Sequence, residues 1–91
     1  MTVSIRIPTT LRTLTGGESI VKVEGATVSE ALAALESAHP GFQDRLFDTD
    51  GSLRRFVNVF VADDDVRYLD GVSTPVAEGG EISIIPAVAG G

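Results

Sequence analysis

The chain of 91 residues contains no cysteine, no tryptophan and only one histidine, His39. Without cysteine, disulfides, thiolate metal sites and nucleophilic thiols are all excluded. A single histidine excludes a multi-histidine metal site, so we expect no bound metal. No apolar run approaches the roughly 20 residues that a membrane helix needs, and the N-terminal stretch lacks the layout of a signal peptide. The sequence therefore predicts a cytoplasmic protein with a single domain.

Basic side chains are also scarce. The chain has 7 Lys and Arg against 13 Asp and Glu, which gives a formal net charge of -6. Nucleic-acid binding needs clustered basic side chains, and Arg54 and Arg55 are the only adjacent basic pair. The charge balance argues against a nucleic-acid partner and favours a protein partner with a basic surface.

Strand patterns lie at both ends of the chain. Residues 3–7 alternate between apolar and polar side chains, which predicts a half-buried strand. Residues 18–23 predict a second strand, joined to the first by a short glycine-containing connection in an N-terminal hairpin. Residues 56–61 and 81–86 predict two further strands, and 66–69 a short extended piece.

The middle of the chain carries the clearest helix pattern. Thr27 is a favourable N-cap, and Glu30 completes a capping box. Pro40 and Gly41 end the helix, and residues 42–47 predict one more helical turn. The buried helix face is predicted from the i, i+3, i+4, i+7 spacing of Val28, Ala31, Leu32 and Leu35.

This order of elements predicts an α+β roll: a mixed sheet of four to five strands with one main helix packed on one face. The first and last strands are expected side by side at the centre of the sheet, which is the β-grasp (ubiquitin-like) arrangement. We expect residues 1–86 to form this domain and residues 87–91 to form a flexible C-terminal tail.

Two polar features are weak candidates for chemistry. His39 lies at the predicted helix C-terminus, where a cation interacts favourably with the helix dipole, and a surface role explains it. Residues 63–65 are three aspartates that could be read as a cation site. Their spacing is not that of a calcium loop, so we favour a solvated hairpin turn.

Phe56 and Phe60 are candidates for partner docking. With Asn58, they lie on the face of their strand opposite the valines at 57, 59 and 61. If the valines face the helix, the two phenylalanines form an exposed apolar patch, which usually marks a partner surface. Alternatively, a loop such as residues 42–55 folds over them. The sequence leaves both possibilities open.

The strongest signal is the C-terminal sequence "IIPAVAGG". A carboxylate is inert until it is activated, and activation by ATP gives an acyl adenylate. Glycines at 90 and 91 have no Cβ and can pass through a narrow channel to a partner's nucleotide. The residues beyond Pro86 can extend roughly 16–18 Å at about 3.3 Å each. This reach depends on Ala87, Val88, Ala89, Gly90 and Gly91.

From Phe56 to Gly91 the sequence resembles the ubiquitin-like sulfur-carrier family, the ThiS/MoaD-like proteins. The segments that carry the resemblance are "FVNVFVADDDVRYLDGVSTP", "VAEGGEISI" and the Gly-Gly end. The similarity extends more thinly over the rest of the chain. Within the family, "RFVNVFV", "DDDVRYL" and "PAVAGG" together are most similar to the carriers of cysteine synthesis, whereas the length of residues 42–55 counts against a thiamine carrier.

The resemblance implies a carrier that is not itself an enzyme and binds no cofactor. A ubiquitin-activating-like enzyme would adenylate the Gly91 carboxylate with ATP, and sulfide or a persulfide would then give a thiocarboxylate. The sulfur would pass to an acceptor, which in a cysteine pathway is a pyridoxal-phosphate synthase, and a peptidase would release the product. The alternatives are a ubiquitin-like modifier joined to lysines through Gly91, the small subunit of molybdopterin synthase, or an interaction module whose tail has no chemistry.

Overall fold

Five strands and two α-helices form the described part of the chain, residues 1–55 and 57–86 of a computed structural model. In chain order the α-helices and strands are β1 (Thr2–Arg6), β2 (Ile20–Glu24), α1 (Val28–Ala38), α2 (Phe42–Leu46), β3 (Val57–Val61), β4 (Asp64–Asp65) and β5 (Glu81–Pro86). Three 3-10 helices lie between them, at Thr9–Thr15, Val66–Tyr68 and Gly71–Ser73.

The strands form one mixed sheet in the order β2-β1-β5-β3-β4. The central neighbours β1 and β5 are parallel, while the pairs β1–β2, β3–β5 and β3–β4 are antiparallel. The first and last strands therefore lie side by side at the centre. This confirms the predicted β-grasp arrangement, and the sheet of the described residues has five strands.

The core lies between the sheet and α1. Alternate residues of each central strand face it, so Val3 and Ile5 of β1 and Ile82 of β5 are almost completely buried. The helix contributes one apolar face, and the sequence spacing predicted its buried members correctly: Val28, Ala31, Leu32 and Leu35. These side chains pack against the inner face of the sheet, so the helix covers one face of the sheet only.

The N-terminus of α1 is capped as the sequence predicted. The Thr27 hydroxyl oxygen accepts a hydrogen bond from the backbone N–H of Glu30 at 3.2 Å. The Glu30 carboxylate accepts from the N–H of Ala26 at 2.9 Å, one residue before the cap. Two N–H groups at the helix start are satisfied in this way, which fixes where the chain turns from β2 into the helix.

Replacing Thr27 by alanine is expected to lower the free energy of unfolding by about 1 kcal/mol, because one helix N–H loses its acceptor. Chemical denaturation monitored by circular dichroism measures this loss. Ser29→Ala, an exposed change in the same helical turn, is the control and should have an effect within about 0.5 kcal/mol. Equal losses for the two variants would show that the Thr27 cap does not stabilise the helix.

The segment after α1 also folds as predicted. Residues 42–46 form α2, with Phe42 and Leu46 buried in the core and Phe47 packed against it. Within residues 1–55 and 57–86, no helix has the length and apolar character needed to cross a membrane.

Two connections differ from the sequence predictions. The link between β1 and β2 is not short, since it contains the 3-10 helix Thr9–Thr15, which buries Leu11. Residues 66–69, predicted to be extended, begin instead with the 3-10 helix Val66–Tyr68. The Asp65 carboxylate accepts a hydrogen bond from the N–H of Arg67 at 2.8 Å and caps this turn. That side-chain bond overrides the apolar alternation from which the extended piece was predicted.

Candidate functional site

One edge of the sheet gathers the chain segments next to the predicted tail. β5 ends at Pro86, which lies opposite Val57 at the start of β3. On the other side of β5, the parallel strand β1 places Arg6 level with Ser83. The carboxyl ends of β1 and β5 and the beginning of β3 therefore share this edge, which we call the tail edge. The predictions for residues 87–91, including Gly90 and Gly91, lie outside the described residues.

Arg67 ties the start of β3 to the 3-10 helix that follows β4. Its Nη1 donates to Oδ1 of Asn58 at 2.8 Å, and its Nη2 donates to the carbonyls of Arg54 at 2.9 Å and Val57 at 2.6 Å. Three acceptors fix the planar guanidinium beside the residue that pairs with Pro86. The role of Arg67 could not be predicted from the sequence, because its acceptors come close to it only when β3 and β4 pair.

The outer face of the sheet carries the predicted docking residue Phe60. Val57 and Val59 point into the core, so Phe60 and Asn58 lie on the opposite face, as predicted. Asn58 pairs with Ile85 of β5, whose side chain is 48% exposed, and Phe60 pairs with Ser83. Phe60 itself is half-buried.

The apolar side chains of the segment 42–55 pack toward the core and not over the outer face. Phe42 and Leu46 belong to the core, and Phe47 and Leu53 pack against it. Only the end of the segment comes near the outer face, where the Arg54 carbonyl and Asn58 both accept hydrogen bonds from Arg67. Phe56, the second predicted docking residue, lies outside the described residues. A docking role for either phenylalanine stays a prediction.

The other polar candidates have structural roles. His39 is the half-buried C-cap of α1, and its N–H donates to the Leu35 carbonyl at 2.8 Å. Among the three aspartates, Asp63 lies in the turn after β3, and Asp64 and Asp65 pair back as β4. A hairpin is therefore present, but the prediction that all three aspartates form its turn is wrong, because Asp64 and Asp65 are themselves the returning strand. In the part of the chain that the structure describes, no three His, Asp or Glu side chains are grouped to hold a metal ion.

The carboxyl group of Glu24 has a lowered pKa, and it lies away from the tail edge. The Thr2 hydroxyl donates to the Glu24 carboxylate and lowers the pKa of that carboxyl, and the positive N-terminus acts in the same direction. Thr2 opens β1, whereas the tail edge lies beyond the last residue of β1. This perturbed group is therefore remote from the proposed chemistry.

Comparison with known proteins identifies the class to which this architecture belongs. The central pair of parallel strands and the helix across one face define a β-grasp protein of the ubiquitin-like class. The model of the ThiS family matches residues 5–91, and the chain belongs to this family.

Three relatives illustrate the similarity. Sulfur carrier protein CysO of Mycobacterium tuberculosis is 44% identical over 93 residues, covering 100% of both chains. A solved chain in the crystal structure of the Amycolatopsis orientalis BexX/CysO complex is 48% identical, with a TM-score of 0.91, covering 98% of this chain and 99% of that one. Small archaeal modifier protein 3 of Haloferax volcanii is 37% identical over 93 residues, again covering 100% of both.

These matches extend over the whole described fold and beyond it to the last residue. The function that they show is that of a sulfur carrier protein of the ubiquitin-like class. The predicted family, fold and carrier function are thereby confirmed.

Proposed function

We propose that the carboxylate of Gly91 is the group that carries the sulfur. The observation that supports this most directly is the full-length similarity to a sulfur carrier, with the family match extending through Gly91 itself. The fold adds a second argument. β5 ends at Pro86, opposite the first residue of β3, so the last described residue before the proposed reactive end lies at the tail edge and not inside the core.

The proposed chemistry has two steps. The Gly91 carboxylate attacks the α-phosphate of ATP, pyrophosphate leaves, and an acyl adenylate forms. Sulfide then attacks the acyl carbon, the bond from carbon to the AMP oxygen breaks, and AMP leaves a thiocarboxylate on the chain. This chain supplies the carboxylate and the partner supplies the ATP site, so the carrier needs no cofactor of its own.

The proposed partners follow from this chemistry. The first is a ubiquitin-activating-like enzyme that adenylates and sulfurates Gly91. The second is an acceptor that takes the sulfur, and the likeness to CysO favours cysteine synthesis, with a pyridoxal-phosphate synthase as acceptor and a peptidase that releases the product. We expect all of these reactions to take place in the cytoplasm.

A protein modifier is the second candidate, and the likeness to a small archaeal modifier protein favours it. The same carboxyl group would then be joined to lysines of target proteins after adenylation. One experiment separates the two functions. The chain is incubated with its adenylating enzyme, ATP and sulfide, and its intact mass is then measured by mass spectrometry. A mass gain equal to replacing one oxygen by sulfur supports the carrier, and conjugates on added lysine-containing proteins support the modifier. An unchanged mass with an enzyme that forms the adenylate contradicts the proposed sulfur transfer.

We further propose that the outer face near Phe60 contacts the activating enzyme. Phe60 and Ile85 lie on neighbouring strands and on the same face, and Ile85 immediately precedes the strand end at Pro86. A partner that receives the chain beyond Pro86 therefore meets this apolar surface first. Phe56 is expected to belong to the same surface, because it lies four residues before Phe60 and shares its face in an extended strand.

Phe60→Ala is expected to weaken the complex with the activating enzyme by about 2 kcal/mol, as for an aromatic anchor at an interface. Because Phe60 is only half-buried, its removal should cost less folding stability than the roughly 3–5 kcal/mol of a core phenylalanine. Titration calorimetry and chemical denaturation on the same variant measure both quantities.

Tyr68→Ala is the control for this experiment, since Tyr68 is 87% exposed and lies beyond β4 at the side of the sheet. Its complex should be as tight as that of the wild-type protein. A Phe60→Ala variant that binds normally, or that loses as much stability as a core variant, would contradict the docking role.

A further inference from the structure

Two arginines at the tail edge are fixed in place by acceptors that carry no charge. Nε of Arg12 donates to the carbonyl of Ile7 at 3.1 Å, and the guanidinium of Arg67 donates to two carbonyls and one side-chain amide. The nearby Asp65 carboxylate bonds to the backbone N–H of Arg67. The two guanidinium charges are therefore oriented without being neutralised by these contacts.

The ion pairs of the described residues involve other groups. They join the N-terminus to Glu24, Arg6 to Glu81 and Arg54 to Asp48. Lys22, Arg45 and Arg55 also lie outside these pairs, but in the described part of the chain only Arg12 and Arg67 among these five cations are held by side-chain hydrogen bonds. A fixed, uncompensated guanidinium is well suited to bind an external anion, since its orientation is already set before binding.

The positions of the two arginines relative to β5 suggest what they bind. Ile7 directly follows β1, and Val57 begins β3, so the two anchoring carbonyls lie on the two neighbours of β5. With strands about 4.8 Å apart, these carbonyls are separated by roughly 10 Å, with the end of β5 between them. Val57 is level with Pro86, and Arg6, the residue before Ile7, is level with Ser83. The arginine pair is therefore anchored on both sides of the last residues of β5.

We propose that Arg12 and Arg67 bind acidic side chains at the mouth of the channel through which the activating enzyme receives the chain end. This proposal deepens the proposed function and rests on it. Charged groups at the rim of an interface steer the encounter of the two proteins and set their relative orientation. Two cations on either side of the emerging chain would guide Gly91 toward the channel and fix the rotation of the domain about it.

The distance to Gly91 favours acidic protein side chains over the phosphates of ATP as the bound groups. The proposed reaction brings the nucleotide to Gly91, which is the fifth residue after Pro86. At about 3.3 Å each, an extended segment of that length spans roughly 16 Å, more than twice the reach of an arginine side chain. If the segment is extended, the two arginines, anchored beside the last residues of β5, contact what surrounds the channel entrance and not the reacting phosphate.

The test compares two double variants in the sulfur-transfer assay with the purified adenylating enzyme. Arg12→Gln with Arg67→Gln removes both charges, whereas Arg12→Lys with Arg67→Lys keeps them. Both lose the planar guanidinium and its bonds to the carbonyls, so any purely structural damage is similar. We expect the glutamine pair to raise the KM for the carrier chain about tenfold and to make this KM less dependent on salt concentration. The kcat should stay within about twofold of the wild-type value. The lysine pair should stay within about threefold of the wild-type KM.

Lys22→Glu is the charge-matched control, because it changes the net charge by the same amount as the glutamine pair. Lys22 lies on β2 opposite Ser4, away from the tail edge, and its variant should keep the wild-type KM. If the double glutamine variant does not fold, the single variants Arg12→Gln and Arg12→Lys are compared instead. The KM of Arg12→Gln is then expected to be about threefold higher than that of Arg12→Lys.

The result separates failure of this inference from failure of the proposed function. Equal KM values for the glutamine and lysine variants, or an equal rise with Lys22→Glu, would overturn the role of the arginine pair while sulfur transfer itself continued. If the wild-type chain gains no sulfur from an enzyme that forms the adenylate, the proposed function is wrong and the arginine pair loses its proposed partner with it.

Discussion

Deleting Gly91, or adding one residue after it, is expected to abolish thiocarboxylate formation and leave the free energy of unfolding unchanged. The activated carboxylate must meet the α-phosphate at one place in the partner, and a displacement of one residue moves it by about 3.3 Å. Reactions that depend on positioning lose rate steeply over such distances. Intact-mass spectrometry after incubation with enzyme, ATP and sulfide measures the loss, and thermal denaturation checks the fold.

Gly90→Val should fail for a different reason, since a branched side chain is too bulky for a channel that accepts glycine. The matched control is an extra residue before Met1. β1 begins at the edge of the sheet opposite the tail edge, because it runs parallel to β5. A carrier extended there should accept sulfur at the normal rate. Normal transfer to a chain with an uncleaved residue after Gly91 would show that the terminal carboxylate is not the site.

Of the substitutions proposed here, Phe42→Ala is expected to lower the free energy of unfolding most, by about 3–5 kcal/mol. Phe42 is 1% exposed and lies at the start of α2, in contact with the core beneath α1. Removing the ring leaves a cavity that the short helix cannot fill. A loss of this size is a large fraction of the stability of a small domain. Urea denaturation followed by circular dichroism measures it.

Phe47→Ala is the control within the same segment, because Phe47 packs against the core but is only partly buried. Its removal should cost clearly less than that of Phe42. If the two variants were equally mild, α2 would be a loosely attached turn and not part of the core.

Local patterns were sufficient to predict most of the regular elements. The Thr27 cap, the spacing of Leu32 and Leu35, and the alternation in β1 each depend on residues close in sequence. The end of β5 was also predicted correctly, since a proline follows the apolar residues of the strand. These features predicted the fold class, the strand order at the centre of the sheet and the face on which Phe60 lies.

Features that depend on distant residues could not be predicted in the same way. Residues 66–68 alternate like a strand, yet the Asp65 side chain caps them as a 3-10 helix. The acceptors of Arg67 lie on the segment 54–58, which reaches it only through pairing of β3 with β4. The composition did not predict a role for Arg67 either, because a net charge of -6 favours basic partners and does not indicate a local pair of cations.

The position of β5 has a consequence for the synthesis of the protein. The strand that follows the other four in the chain lies between β1 and β3, so the sheet stays divided until this segment has been translated. Such long-range pairing comes late and slows folding. Until β5 inserts, β1 and β3 lack the neighbour they share, and the core lacks the buried side chains of Ile82 and Ile84. The part of the chain that precedes β5 therefore cannot complete the domain by itself, and it exposes unpaired strand sides to which another chain can add.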